Sequence, residues 1–248
     1  MDARATSSPV PTGQLALLTC ATCAVRNSSL CSALTDEELR DLHGISRRKT
    51  LAKGQFHAFE VGAQADFVNV IGGFGKLIKS APDGRQQIVG LLFPSDFVSN
   101  HSQSDLAASD TYMIEAASPL ELCLFPRDGF EGLLSRYPEL AQRLLEITLD
   151  ELSIARDWMV LLGRKSAEER VASFFLHVAK RMSAQSCSSA AVFDLPLDRS
   201  DIADHIGLTL ETVSRQISKL RSLGLITMEG TRRVVQMDVD GLTERAGF

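Results

Sequence analysis

Hydrophobic and polar positions change rhythm several times along this chain. From about 49 to 127 they alternate in short stretches broken by Gly, Asp and Pro, as in KGQFHAFEVGAQADFVNVIGGFGKLIKSAPDGRQQIVGLLFPSDFV. Period-two alternation predicts half-buried strands, and PDG at 82–84 predicts a hairpin turn. Strands at this spacing suggest an antiparallel barrel or roll. Ahead of them, SALTDEELRDLHGIS (32–46) predicts a helix. Thr35 is its N-cap, Glu38 completes a capping box, and Leu39 and Leu42 give it an apolar side. From 128 to 163 the period turns helical and two apolar stripes run side by side. One is a heptad seam of Leu145, Thr148, Leu152, Ala155, Met159 and Leu162; the other holds Leu144, Ile147, Ile154, Trp158 and Leu161. One stripe can pack on the roll and the other on a second subunit; a single core helix with a broad apolar face is the simpler alternative. Residues 166–182 predict a further amphipathic helix, capped by Ser166 with Glu169 at the box position.

The stretch LDRSDIADHIGLTLETVSRQISKLRSLGLI (197–226) has the features of a DNA-binding helix-turn-helix. Asp198 caps the first helix with Asp201 three residues on. Ala203 is small where two helices must cross, and Gly207 permits a turn of positive φ. Leu208 anchors the turn, Thr209 caps the second helix, and Val213, Ile217 and Leu220 bury it. Its outer face carries Glu211, Thr212, Ser214, Arg215 and Lys219. Residues near the start of such a helix meet base edges in a major groove, where Arg suits guanine and Glu accepts from the cytosine amino group. GLITMEGTRRVVQM then predicts a winged hairpin turning at Glu229–Gly230, with Arg232 and Arg233 placed to meet phosphate.

Charge adds little to that picture. The chain of 248 residues carries a net −5, and residues 197–233 hold six Lys/Arg against five Asp/Glu, so a nucleic-acid surface must be a local patch. Apolar content of 44% and charged content of 23% fit a soluble globular protein with one large or two ordinary domains. No apolar run approaches the roughly 20 residues of a membrane span, and LALL near the start is too short for a signal-peptide core. The expectation is a cytoplasmic protein without a membrane partner, beginning with a flexible arm over 1–19.

Cysteine usage raises a separate question, since CATCAVRNSSLC (20–31) holds three of the five cysteines. In a reducing compartment clustered thiols bind metal more often than they form structural disulfides. Cys123 lies in a short alternating strand, Leu120 to Phe125. If Leu120, Leu122 and Leu124 face the core, Cys123 points the other way, where the 20–31 loop can meet it. Four thiolates suit a tetrahedral zinc or a [4Fe–4S] cluster; scattered spacing fits a cluster more readily, and an idle set of small hydrophobes is the bland alternative. Cys187, in the serine-rich SAQSCSSAA, is expected to have no function.

The roll, the seam helix and the winged helix-turn-helix together resemble the CRP/FNR superfamily of bacterial transcription regulators. The cysteines and LETVSR look like the FNR branch, closest to the FnrL-type anaerobic regulators of photosynthetic alphaproteobacteria. The resemblance implies an α+β fold: an N-terminal antiparallel β-roll of the cyclic-nucleotide-binding type, a long dimerisation helix and a C-terminal winged helix-turn-helix. The corresponding divisions are an arm at 1–19, a cluster-binding loop and roll at 20–135, the dimer helix at 136–164 and the DNA-binding domain at 165–248. It further implies an oxygen-labile [4Fe–4S] cluster on Cys20, Cys23, Cys31 and Cys123. The intact cluster favours a homodimer bound to palindromes of TTGAT half-sites, controlling anaerobic and photosynthetic genes, and oxidation releases it. Glu211, Ser214 and Arg215 meet the E-x-x-S-R reading motif. Leu30 matches a position that shields the cluster and Ala24 one that tunes oxygen reactivity. The enterobacterial pattern has a shorter gap before the third cysteine. At Ala155 it has an acidic residue that opposes dimers lacking the cluster, so this seam is expected to be less repulsive. The turn around Asp83, Gly84, Arg85, Gln86 and Gln87 is the nearest match to a contact with RNA polymerase.

Three rival readings fit less of the chain. Residues 93–118 contain no Arg to hold an anionic phosphate, so a cyclic nucleotide is not expected. A haem sensor on His57 or His101 leaves the cysteine trio idle. An electron-transfer protein has no need of a helix-turn-helix. No enzyme constellation is present, and GGFGK (72–76) reads as a strand-turn glycine cluster rather than a phosphate loop.

Overall fold

The computed structural model of the chain describes residues 20, 22–59, 66–80, 84–99, 112–183 and 192–247. The expected arm at 1–19, Asp83, His101 and Cys187 lie outside them. Eight strands build the N-terminal half: β1 (Arg47–Leu51), β2 (Phe56–Ala58), β3 (Asp66–Gly72), β4 (Gly75–Ser80), β5 (Gln86–Leu92), β6 (Phe97–Ser99), β7 (Tyr112–Ala116) and β8 (Leu120–Pro126). They form two four-stranded antiparallel sheets, ordered β1-β8-β3-β6 and β2-β7-β4-β5. Leu51, Val68, Val70, Leu92, Ile114, Leu120, Leu122 and Leu124 meet between them as the roll core. β4 and β5 pair from Ser80–Gln86 inward, as the PDG signal predicts, with Gly84 at φ 83°. GGFGK forms the β3–β4 turn. There Gly73 has φ +86°, and an added Cβ would lie 2.0 Å from the Pro119 carbonyl oxygen.

Strand β8 is buried on both faces. Its leucines enter the roll core, while Phe125 on the opposite face enters a second core with Phe67, Phe97 and Phe130. The sequence expectation that this face turns away from the roll core is met, but the face is covered. A 3₁₀ turn (Leu30–Ala33), helix α1 (Glu38–Ile45), α2 (Arg127–Arg136) and α3 (Pro138–Arg164) lie over it. The predicted helix over 32–46 is thus shorter, although its capping box forms: the Thr35 amide donates to Glu38 Oε2 at 2.8 Å and the Glu38 amide to Thr35 Oγ1 at 3.4 Å. The predicted helical run over 128–163 is two helices, broken at Tyr137. Its ψ of 92° is extended, and Pro138 at the first position of α3 has no N–H to continue α2.

The C-terminal half begins with α4 (Ala167–Ser183), which carries the expected Ser166–Glu169 box. It continues with β9 (Phe193–Asp194), α5 (Arg199–Ile206), α6 (Leu210–Ser222), β10 (Ile226–Glu229), β11 (Arg233–Met237) and α7 (Val239–Ala246). α5 and α6 are the predicted helix pair. Asp198 and Asp201 close a reciprocal box, Gly207 is left-handed at φ 64°, and Thr209 accepts from the Thr212 amide at 3.2 Å. The wing pairs β10 with β11 across Gly230 (φ 64°), and β9 adds a third strand.

The two halves are welded together. Phe74, Ile78, Ile88 and Phe93 of the roll share one core with α4, α5 and α6. Lys76 on β4, 6% exposed, bonds Glu115 at 2.8 Å and Asp201 of α5 at 2.9 Å, so the buried ammonium is matched by two carboxylates. Arg170 of α4 donates to the carbonyls of Leu162 (2.7 Å), Lys165 (2.9 Å), Ile206 (3.2 Å) and Gly207 (3.3 Å). One guanidinium therefore occupies the carbonyl ends of both α3 and α5, where the helix dipole favours a cation. Arg170→Ala should lower the stability of the isolated protein by about 2–4 kcal/mol in urea denaturation, with Arg170→Lys recovering only part. Unchanged stability would show the strut to be idle.

His205 of α5 sits at the same junction, 4% exposed, its Nδ1–H donating to the Ile88 carbonyl at 3.0 Å and its ring 4.3 Å from Trp158. Burial lowers its pKa to about 4, and burial followed by the nearby Arg181 charge lowers that of His177 to about 4. Between about pH 6.5 and pH 4 the unfolded chain therefore binds more protons at these positions than the folded one. Their stabilising effect is complete above about pH 6.5 and is lost on acidification, by up to about 3 kcal/mol for His205. Urea midpoints taken from pH 7.5 to 4.5 should fall, and fall less in His205→Gln. A flat profile would contradict this.

Candidate metal centre and DNA-reading helix

Cys123 sits in a row of three residues across the first sheet: Arg48 of β1 lies opposite it on one side and Asn69 of β3 on the other. The leucines alternate into the roll core, so this row faces outward, toward the loop carrying the other cysteines. The loop is pinned by its own sequence. Val25 and Leu30 are buried, Ser29 caps the 3₁₀ turn by accepting from the Cys31 amide at 3.3 Å, and Arg26 pairs with Asp36.

Cys20, Cys23, Cys31 and Cys123 are free thiols, and all four line one cavity of about 120 Å³. Arg26, Leu39, Leu42, His43, Ser46, Arg48, Asn69, Ile71 and Phe125 complete its walls. Among the described residues no three His, Cys, Asp or Glu side chains are gathered to hold a single metal ion; the sulfurs stand around the cavity rather than meeting at a point. Burial raises the pKa of Cys20 and Cys31 and pushes Cys123 up to about 12, and neighbouring thiols add to each shift. Four thiolates in this space repel and are poorly hydrated, so they need a cationic centre to be held together. The donor set and the hollow fit a multi-iron sulfur cluster, whereas a lone zinc with Zn–S bonds of about 2.3 Å requires the sulfurs drawn inward.

Sequence reasoning found the thiols but not the rest of the wall. Leu30 is fully buried in the second core, and Ala24 is exposed on the rim of a separate groove beside α3; neither lines the cavity. Leu39 and Leu42 do, and their helical spacing was legible. His43 (Nδ1 3.5 Å from the Cys20 sulfur), Ser46 and Asn69 carried no sequence signal, because strand pairing and chain crossing bring them in. His57, the alternative haem ligand, is 6% exposed with Nδ1 3.1 Å from Lys49 Nζ, away from this cavity.

Two routes lead out of the cavity. The 3₁₀ turn bearing Cys31 packs on Leu140, Leu144 and Ile147 at the start of α3. Ser28 also meets Ser95 at 2.6 Å, and Asp96, the next residue, accepts from the Phe93 amide and pairs with Arg181 of α4. On α3 the second stripe, Leu144, Ile147, Ile154, Trp158 and Leu161, is turned inward, whereas every seam residue is exposed. Leu145 is 58%, Leu152 42%, Met159 69% and Leu162 37% exposed, with Thr148 and Ala155 in line.

On α6, Glu211 and Arg215 are exposed and Thr212 and Ser214 half-buried, the Thr212 hydroxyl accepting from Thr209 at 2.9 Å. Lys219 is held sideways by Glu168 of α4, which also takes Arg245 at 3.2 Å. Arg232 and Arg233 are exposed on the wing, with Arg233 3.7 Å from Glu229. Gly84, Arg85, Gln86 and Gln87 are exposed, and the Gln87 amide donates to the Asp204 carbonyl of α5, so this turn also leans on the C-terminal half.

Residues 169–245 match the Crp-like helix-turn-helix domain family. The chain is 42% identical over 232 residues to the transcriptional activator protein FnrL of Cereibacter sphaeroides, covering 92% of each. It is 40% identical over 209 residues to the nitrogen fixation regulation protein FixK of Bradyrhizobium diazoefficiens, covering 84% of this chain and 86% of that one. Its fold matches the structure of FixK2 from Bradyrhizobium japonicum with a TM-score of 0.68 at 30% identity, over 81% of this chain and 97% of that one. No helix among the described residues is long and apolar enough to cross a membrane. A roll, an exposed heptad seam and a winged helix-turn-helix with relatives of this kind place the chain in the CRP/FNR family of transcription regulators.

Proposed function

We infer that this regulator senses oxygen through a [4Fe–4S] cluster held by Cys20, Cys23, Cys31 and Cys123, and binds DNA as a homodimer while the cluster is intact. The observation that carries the reading is the meeting of four free thiols, from a loop and a strand 92 positions beyond its last cysteine, on one cavity. When bound, the cluster supplies an oxygen-labile centre whose loss removes the cross-link between loop and strand.

The chain's own residues then carry the signal. With the loop tied to β8, Leu30 and Cys31 press on Leu140, Leu144 and Ile147, fixing the start of α3 just before the seam begins at Leu145. A seam with exposed Leu145, Leu152, Met159 and Leu162 stabilises a parallel helix pair by excluding water, and a change in the angle of α3 weakens it. Ala155 adds no charge to this seam. Pairing two chains along α3 presents two copies of α6 to a palindrome, with Arg215 suited to guanine and Glu211 to the cytosine amino group of TTGAT half-sites. Arg232, Arg233 and Lys219 contact phosphate, and the turn through Gly84–Gln87 offers a surface for RNA polymerase.

The test uses anaerobically purified full-length protein and a TTGAT palindrome. Wild type should shift the DNA and sediment as a dimer, and lose both properties in air. Leu152→Asp should retain visible absorbance yet sediment as a monomer and bind at least roughly tenfold more weakly, since half-site contacts then act singly. Air-insensitive binding by wild type, or dimeric Leu152→Asp, would contradict the reading.

A further inference from the structure

Among the described residues, Asn69 is a wall residue of the thiol cavity with a buried amide oxygen that lacks a partner. It lies on β3 directly opposite Cys123 of β8, and residues directly opposite in an antiparallel pair present their side chains on the same face. The side chain is 2% exposed, lines the cavity, and its Oδ1 has no hydrogen-bond partner among the described residues. Native chains rarely bury an amide end unpaired, because its lost hydration is not returned. Its neighbours two residues away along the strand, Phe67 and Ile71, are both buried and apolar, so an amide at this position stands out on its own face. A half-turn about χ2 exchanges the ends of the amide, which can then offer N–H₂ to the cavity as readily as oxygen. The other flank of Cys123 holds Arg48, bonded to Glu121 at 2.6 Å. The sulfur thus sits between a guanidinium and an amide, and thiolates and sulfides are acceptors for both.

We propose that Asn69 is a positioning residue of the cluster site: its amide N–H₂ donates to the Cys123 sulfur or to an adjoining sulfide of the bound group. The proposal rests on the cluster reading above. It assigns a purpose to an amide that costs stability when the cavity has no acceptor in it. Partners of this kind orient metal ligands, and their removal weakens the site while leaving the ligands in place.

The isosteric pair Asn69→Val and Asn69→Thr tests it, since the two differ only in a hydroxyl donor. Full-length protein is loaded anaerobically, and loss of visible absorbance to an iron chelator is timed. Asn69→Val should lose its cluster roughly tenfold faster than wild type, and Asn69→Thr should recover much of the difference. The Fe–S stretching bands in resonance Raman should move in the Val variant and move back in the Thr variant. Iron-free Asn69→Val should unfold at the same or a higher urea concentration than iron-free wild type. Equal loss rates and unmoved bands in the two variants, or a less stable iron-free Val chain, would overturn the role of Asn69 alone. Wild type that takes up no iron and sulfide would overturn the cluster reading and this proposal with it.

Discussion

The cysteine site depends on one strand, β8, whose two faces each enter a core. β8 places Leu120, Leu122 and Leu124 in the roll core and Phe125 in a second core built on Phe130. Full burial of each such side chain contributes roughly 1.5–3 kcal/mol, so its register is strongly set. Cys123 inherits that rigidity. It is a thiol fixed on a sheet, facing three thiols on a loop whose position depends on Val25, Leu30 and a 3₁₀ turn. The proposed cluster would join the firm half of the site to the weaker half, which is where a switch has most effect.

The weaker half is also the one that touches α3. Leu30 and Cys31 pack against the start of that helix, while the seam lies further along on its exposed side. At the far end, Arg170 ties the last carbonyls of α3 to those of α5, and Lys76 ties the roll to Asp201 in the same helix. Helix α5, the first of the helix pair, is therefore tied to both the roll and α3. The last carbonyls of α3 and α5 are thus joined through one guanidinium, while Ser28, Ser95, Asp96 and Arg181 give a second contact between the cysteine loop and α4.

Much of this was legible in sequence because it depends on local chemistry. Gly207 with Thr209, the Ser166–Glu169 box and the Leu120–Phe125 alternation each specify structure within a few residues. The two apolar stripes of α3 were legible as stripes, although which of them turns inward was not. What could not be read is what tertiary pairing creates. Phe125 is buried only because α2 brings Phe130 over it, whereas the break at Tyr137 follows from Pro138, a local signal that the expectation of one helical run leaves out. Asn69, His43 and Ser46 meet the cysteines across strands and a helix end. Leu30, placed by resemblance near the thiols, is buried in the second core, against which Cys31 and Cys123 also pack, while Ala24 lies on an outer rim.

The most direct measurement is iron and sulfide content with the visible spectrum of protein purified without oxygen, repeated after admitting air, for wild type and Cys123→Ser. The account predicts about four irons and four sulfides per wild-type chain with broad absorption that bleaches in air, and little of either in Cys123→Ser. A colourless wild type, or a Cys123→Ser chain that keeps its full cluster, would contradict it.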